Sequence, residues 1–184
     1  MSARLLTVLV LLHVAPGALA ADYRPLPGGV FRSVLPADGK QAPALVAPFQ
    51  MRATLVSNGE FRDFVASSPE WRRGKVAGVL AGVLAGPAYL SGWRTADDPG
   101  ELDARAPVTQ VSWHAAAAYC ASEKARLPRW YEWEYAAAAD PIRADARDDP
   151  EWLSTILNWY ARPANGVPGP LLPGGGGRNR MITA

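Results

Sequence analysis

Residues 106–139, APVTQVSWHAAAAYCASEKARLPRWYEWEYAAAA, form the stretch in which strand, cap, helix and corner signals follow one another without conflict. Residues 108–111 are strand-like, with valines at both ends. Ser112 is a good N-cap, because its hydroxyl can take one of the orphan N–H groups that open a helix. Trp113, Ala116, Ala117 and Cys120 then share one helical face, the face expected to meet the core. Arg126-Leu127-Pro128 reads as a corner, since proline lacks a donor and pushes Leu127 out of helical conformation. A second helix is predicted over 131–139, with Trp133, Ala136 and Ala137 at i, i+3 and i+4. Glu132 lies on another face and Glu134 at an angle between. Both are expected to be solvated or ion-paired, and Arg126 is a partner that would pin the corner to the helix. Arg129 falls at the cap position, where it offers no acceptor.

Working towards the N-terminus, residues 97–106 read as a solvated acidic loop with a turn at Pro99-Gly100. Tyr89, Leu90 and Trp93 are apolar anchors. Residues 76–86 repeat as AGVL-AGVL-AG, and Gly78, Gly82 and Gly86 would each weaken a helix by about 1 kcal/mol, so a buried loop or short helix is expected. Ser57 and Glu60 have the spacing of a capping box. Phe61, Phe64 and Val65 then form a helical stripe that the Ser67-Ser68-Pro69 cluster ends. Residues 49–55 alternate as a half-buried strand. Residues 21–48, with five prolines and three glycines, read as a lead-in arm carrying one short strand at 30–34.

Residues 1–20 have the form of a secretory signal: Arg4, an apolar run from Leu5 to Val14, and Ala18-Leu19-Ala20 as the small-x-small cleavage site. Their apolar run falls short of the ~20 residues that span a bilayer, so no membrane anchor is expected after cleavage and the mature chain is expected in the periplasm or outside the cell. Towards the C-terminus, Pro150 at the first helical position and Glu151 open a last helix. Its stripe is Leu153, Ile156, Leu157 and Tyr160. Residues 164–184 lose all periodicity, are dominated by Gly and Pro, and read as disordered. The abrupt change at 171–184 is also what a shifted reading frame or a truncated gene would give.

Composition bounds the function. A chain of 184 residues suffices for one domain with a real core. Its 17 Gly and 17 Pro favour a loop-rich fold. Nineteen basic and 17 acidic side chains give a net charge of +2, without the clustered basic excess of a nucleic-acid interface. Beyond the signal, His114 is the sole histidine and Cys120 the sole cysteine of the whole chain. A disulfide scaffold, a His/Cys zinc site and a Cys-x-x-Cys redox pair are therefore excluded. His114 and Cys120, six apart on a helix, do not face each other, so Cys120 reads as a structural cysteine. The run at 174–177 lacks the Gly-Lys-Ser/Thr ending of a phosphate loop.

The ordered motifs PVTQVSW at 107–113, AAYC at 117–120, Arg126-Leu127-Pro128 and EWEYA at 132–136 resemble the formylglycine-generating enzyme, or sulfatase-modifying factor, family. Residues 49–64 also resemble an earlier strand and helix of that family, and the resemblance covers roughly 31–163. Trp130-Tyr131 and the Tyr89-Leu90-x-x-Trp93 lead-in look most like its NirV-type branch of periplasmic proteins associated with copper nitrite reductase. The resemblance implies an α+β, loop-rich, C-type-lectin-like fold, here in truncated form, with the incomplete domain at 49–163. It implies a structural part for the signature residues Ser112, Trp113, Tyr119, Cys120, Arg126, Leu127, Pro128, Glu132, Trp133 and Glu134. Thr is usual in the family where Arg129 stands. The copper-binding cysteine pair and the calcium ligands of complete members fall in motifs with no counterpart here, so no catalytic, cofactor or metal residue carries over. The implied function is that of an exported accessory protein with a protein partner, nitrite reductase or another exported protein, and no nucleic acid. The alternatives are a copper-dependent oxidase of a target cysteine and a lectin-like binding module.

Overall fold

The computed structural model describes residues 22–33, 39, 42–75, 84–140 and 142–160. The expected signal segment, residues 76–83 of the AGVL repeat and the tail at 164–184 lie outside the described residues. Among those described are four short strands and four α-helices, an α+β composition with long irregular connections.

The first three strands come from the segment expected to be a lead-in arm. Strands β1 (Tyr23–Leu26) and β2 (Gly29–Phe31) run outward, and β3 (Ala44–Val46) and β4 (Phe49–Arg52) return. β1 pairs antiparallel with β4 through Leu26 and Phe49, and β2 with β3 through Gly29 and Val46. Three residues forward on one side match three residues back on the other, so the two ladders keep one register and form a single interrupted ribbon. Pro27 and Pro48 sit in the interruption, where neither can donate to a ladder. Gly28 at the same point has φ of +68°, and a Cβ there would come within 2.2 Å of the Val46 carbonyl oxygen, so only glycine fits. Proline-rich composition suggested an arm; Pro27 and Pro48 instead interrupt a ribbon that packs on Ala138. The expected strand at 30–34 is β2, ending at Phe31 within the described residues, and the expected strand at 49–55 ends at Arg52.

Helix α1 (Asn58–Ser67) follows the predicted pattern. Glu60 N–H donates to Ser57 Oγ, and the Glu60 carboxylate accepts the Ser57 N–H at 2.8 Å, closing the capping box. Two further opening N–H groups, of Asn58 and Gly59, donate to the carbonyls of Ala106 and Ala104 at 2.9 and 2.8 Å. The acidic loop thus caps the helix from outside. Ser57 and Pro107 form an isolated bridge, and Val108 N–H donates to Val56. Residues 108–111 are therefore tied to the chain before α1 without forming the expected strand, and Gln110, at φ of +58°, breaks the extension.

Helix α2 (Trp113–Ser122) starts at Ser112, whose hydroxyl accepts the Ala115 N–H at 3.0 Å and donates to the Leu84 carbonyl. Helix α3 (Trp130–Ala137) follows the corner, and α4 (Pro150–Tyr160) opens at Pro150 as expected. One core cluster joins Phe61, Phe64 and Val65 of α1 to Tyr89, Leu90 and Trp93 and to Ala115 and Tyr119 of α2. Phe61 stacks on Tyr119 at 5.8 Å and meets Trp93 edge-on at 6.3 Å. A second cluster sets Phe31 and Val46 of the ribbon against Ala138, with Tyr131, Tyr135 and Phe49 packed on it. The Tyr135 hydroxyl donates to the Gly28 carbonyl at 2.7 Å and holds the ribbon at its bend.

Both helices of the central stretch bury a different face from the one their aromatics suggested. In α2 the buried positions are Ala115 and Tyr119, while Trp113 is 69% exposed. In α3 they are Glu132, Glu134 and Ala136, while Trp133 is 55% exposed. α2 starts from the Ser112 cap and turns Ala115 and Tyr119 to the α1 core, and α3 starts from the corner at which Arg126 holds Glu132. In α4 the leucines of the stripe, Leu153 and Leu157, are exposed. No helix among the described residues is long and apolar enough to cross a membrane.

Candidate functional site

The corner between α2 and α3 is built around one carboxylate. Arg126 donates from both terminal nitrogens to the two oxygens of Glu132, each at 2.7 Å, and also to the Leu127 carbonyl at 3.1 Å. Glu132 further accepts the Arg129 N–H at 2.7 Å. A planar guanidinium facing a carboxylate in this two-point manner is the strongest geometry such a pair adopts. The Arg126 bonds, with the Arg129 N–H, hold the Glu132 carboxyl down at about 2, against the opposing effect of its burial. Arg129 gives the helix no side-chain acceptor, so only the Glu132 half of a capping box is present.

A second cluster centres on Arg52 at the end of β4. Its guanidinium pairs with Glu60 and donates to the Tyr119 hydroxyl at 2.9 Å, and Glu123 lies 3.7 Å away. The Tyr119 hydroxyl donates in turn to Glu123 at 3.1 Å. Burial pushes Tyr119 up to about 12, although Arg52 works the other way. For Glu60, burial is outweighed by the Ser57 N–H and hydroxyl and by Arg52, which lower it. The sequence reading missed Arg52. Its only signal was a charged residue closing an alternating strand, and the strand's face could not be assigned without the ribbon.

Cys120 borders this cluster. It is partly buried and packs against the aromatic core. Burial pushes its thiol up and Glu123 adds to the effect, while Arg52 opposes it. Burial and Glu123 both disfavour the thiolate, the form that acts as a nucleophile. His114, next to the exposed Trp113, meets its ring edge-on at 5.1 Å.

The signature residues therefore occupy two places. Ser112, Tyr119 and Cys120 are joined to the α1–α2 core, and Arg126, Leu127, Pro128 and Glu132 to the corner. Trp113 and Trp133 are outside both, exposed. Glu134 departs from expectation in another way: it is buried, and its Oε2 has no hydrogen-bond partner among the described residues. The residues present do not fit copper held by a thiolate pair, because Cys120 is single and its thiol is raised. Among the described residues no group of three or more His, Cys, Asp or Glu is placed to hold a metal ion, calcium included.

Comparison with known proteins agrees with the motifs. The family described as "Sulfatase-modifying factor enzyme 1-like domain" matches residues 16–155. Hercynine oxygenase of Mycobacterium tuberculosis is 35% identical over 125 residues, covering 63% of this chain and 29% of that protein. Formylglycine-generating enzyme of Bos taurus is 33% identical over 142 residues, covering 60% and 38%. Inactive C-alpha-formylglycine-generating enzyme 2 of Mus musculus is 34% identical over 142 residues, covering 61% and 46%. The chain thus spans less than half the length of each of these relatives. With the family matched across the ribbon, both core clusters and the corner, the chain belongs to the formylglycine-generating enzyme, or sulfatase-modifying factor, family.

Proposed function

We propose that this chain is an exported, NirV-type member of the family that works as an accessory or binding protein beside an exported partner such as a nitrite reductase, and that it does not itself oxidise cysteine. The observation that carries this reading is the employment of the signature side chains. Arg126 and Glu132 are spent on each other, Tyr119 on Arg52 and Glu123, Ser112 on a helix cap, and the one thiol is partly buried with its acidity suppressed. These groups hold the fold together and leave none of themselves poised for covalent or metal chemistry. The α+β, loop-rich build supports a C-type-lectin-like version of the family fold, whose loops suit binding.

A second reading, an oxygen-using enzyme, is favoured by the names of two relatives, a hercynine oxygenase and a formylglycine-generating enzyme. One experiment separates the two. The purified chain is incubated with copper, oxygen and a Cys-x-Pro-x-Arg peptide, and the peptide is weighed by mass spectrometry. Our reading expects no formylglycine above the protein-free control, and repeated turnover would overthrow it. Export is checked independently: a mature chain beginning at Ala21 in the periplasmic or culture fraction is expected, and a cytoplasmic chain retaining residues 1–20 would contradict it.

A further inference from the structure

Residues 142–149 form a strap between α3 and α4 that also touches the ribbon. Ala146 N–H donates to the Ala138 carbonyl at 2.8 Å, which sets Arg147 beside the end of α3. The Arg147 guanidinium lies 4.4 Å over the Phe31 ring. Its Nε and Nη2 donate to Asp145 at 2.9 and 2.6 Å, and its Nη1 donates to the Arg32 carbonyl. The Arg147 side chain is only 24% exposed, whereas that of Asp145 is 53% exposed. A mostly buried cation is thus paired with an acid that faces water.

A second acid lies on the same side of α3. Glu134 stands three residues after Tyr131 and four before Ala138, and both of these pack in the cluster that contains Phe31. Glu134 is 8% exposed, and its Oε2 is buried with no hydrogen-bond partner among the described residues. A buried carboxylate oxygen left in this way loses its water and gains no bond. Its charge, like that of Asp148, acts on Arg147 through space, behind the stronger effect of Asp145.

The two acids differ as partners. The Asp145 pair is local, open to water and screened by salt, a kind of pair that contributes little. Glu134 is desolvated whether or not it is paired, so a guanidinium that reaches it relieves an uncompensated buried charge. Leaving Asp145 strands no group there, because Asp145 Oδ1 also accepts the Arg147 backbone N–H at 3.1 Å and the carboxylate meets water. We infer that Arg147 is a two-position latch that exchanges Asp145 for Glu134, fastening the strap to the Arg32 carbonyl of the ribbon in one position and to α3 in the other. Salt selects between the positions. Screening weakens the exposed pair more than the buried one, so rising ionic strength moves Arg147 onto Glu134 and unties the strap from the ribbon. The latch is a property of the fold and stands apart from the partner-binding reading above.

The test uses the full mature chain with Asp145→Asn, Glu134→Gln and the double variant. In the parent, Asp145→Asn should change the melting temperature by less than about 1 °C, because Arg147 then settles on Glu134. In the Glu134→Gln background the same substitution should lower it by about 2–4 °C, because the mostly buried cation is left with neither acid. The Arg147 Nε–H resonance, assigned from its loss in Arg147→Lys, reports the position directly. Between about 20 mM and about 500 mM sodium chloride it should move in the parent towards its place in Asp145→Asn, and should fail to do so in Glu134→Gln. An equal cost of Asp145→Asn in both backgrounds would overturn the latch, since Glu134 would then not be a second partner. A resonance that responds to salt alike in the parent and in Glu134→Gln would overturn it as well. Neither failure touches the peptide-oxidation result.

Discussion

At the scale of single residues, Glu132 carries a strongly perturbed carboxyl at the corner between two helices. Its carboxyl is lowered to about 2, first by the bonds from Arg126. A carboxylate lowered in the folded state contributes stability that is fully present above its unfolded value of about 4.3 and is lost as pH falls through the folded one. Thermal melts between pH 7 and pH 2 should therefore show the parent losing stability below about pH 5 more steeply than Glu132→Gln. At neutral pH the substitution should cost about 1–2 kcal/mol, held down because Arg126 is more than half exposed. Equal slopes for the two proteins would mean that the pair contributes nothing. This interaction was legible in the sequence, because an Arg before a Leu-Pro corner and a Glu in the following first turn have few other ways to satisfy each other. Arg52 was not legible: its partners Glu60, Tyr119 and Glu123 come from two other elements, and no spacing rule links a strand end to two helices.

At the scale of elements, the caps and the hydrophobic stripe of α1 were readable, and the buried faces of the two central helices were not. The Ser57–Glu60 box, the Ser112 cap and the Pro150 start were each readable, since a cap is satisfied within a few residues. The burial of Trp113 and Trp133 was misread, since a short helix made largely of Ala and aromatics has apolar residues on every side and its rotation is set by what precedes it. Ala115 and Tyr119 serve the core of α2 with less apolar bulk than Trp113 would have offered. The cap of α3 gives the clearest prediction here. Arg129 has the extended backbone of an N-cap but no acceptor. Arg129→Thr should supply one and raise stability by about 1 kcal/mol, an increase of roughly 3 °C in melting temperature for a chain of this size. A decrease would show that the Arg129 side chain has a stabilising part of its own.

At the scale of the whole molecule, the ribbon explains why a proline-rich arm belongs to the family match that begins at residue 16. Tyr135 reaches across from α3 to the Gly28 carbonyl, and Phe31 and Phe49 meet its ring edge-on, so both ends of the chain order contribute to one packed unit. The α+β class followed from the family resemblance that the ordered motifs carry, and the loop-rich character from the Gly and Pro content. The single interrupted register did not, because residues 23–31 and 44–46 offer strands too short for alternation to be seen. Ser112, Tyr119, Arg126 and Glu132 bond across the joints of this unit, and Cys120 beside them is the signature residue whose chemistry could contradict a purely structural account. The direct measurement is the pH dependence of Cys120 alkylation by iodoacetamide in the folded chain, with free cysteine titrated alongside. The account predicts slow reaction with a midpoint above that of free cysteine, because burial and Glu123 suppress the thiolate. Rapid alkylation with a midpoint below neutrality would show a poised thiolate and contradict it.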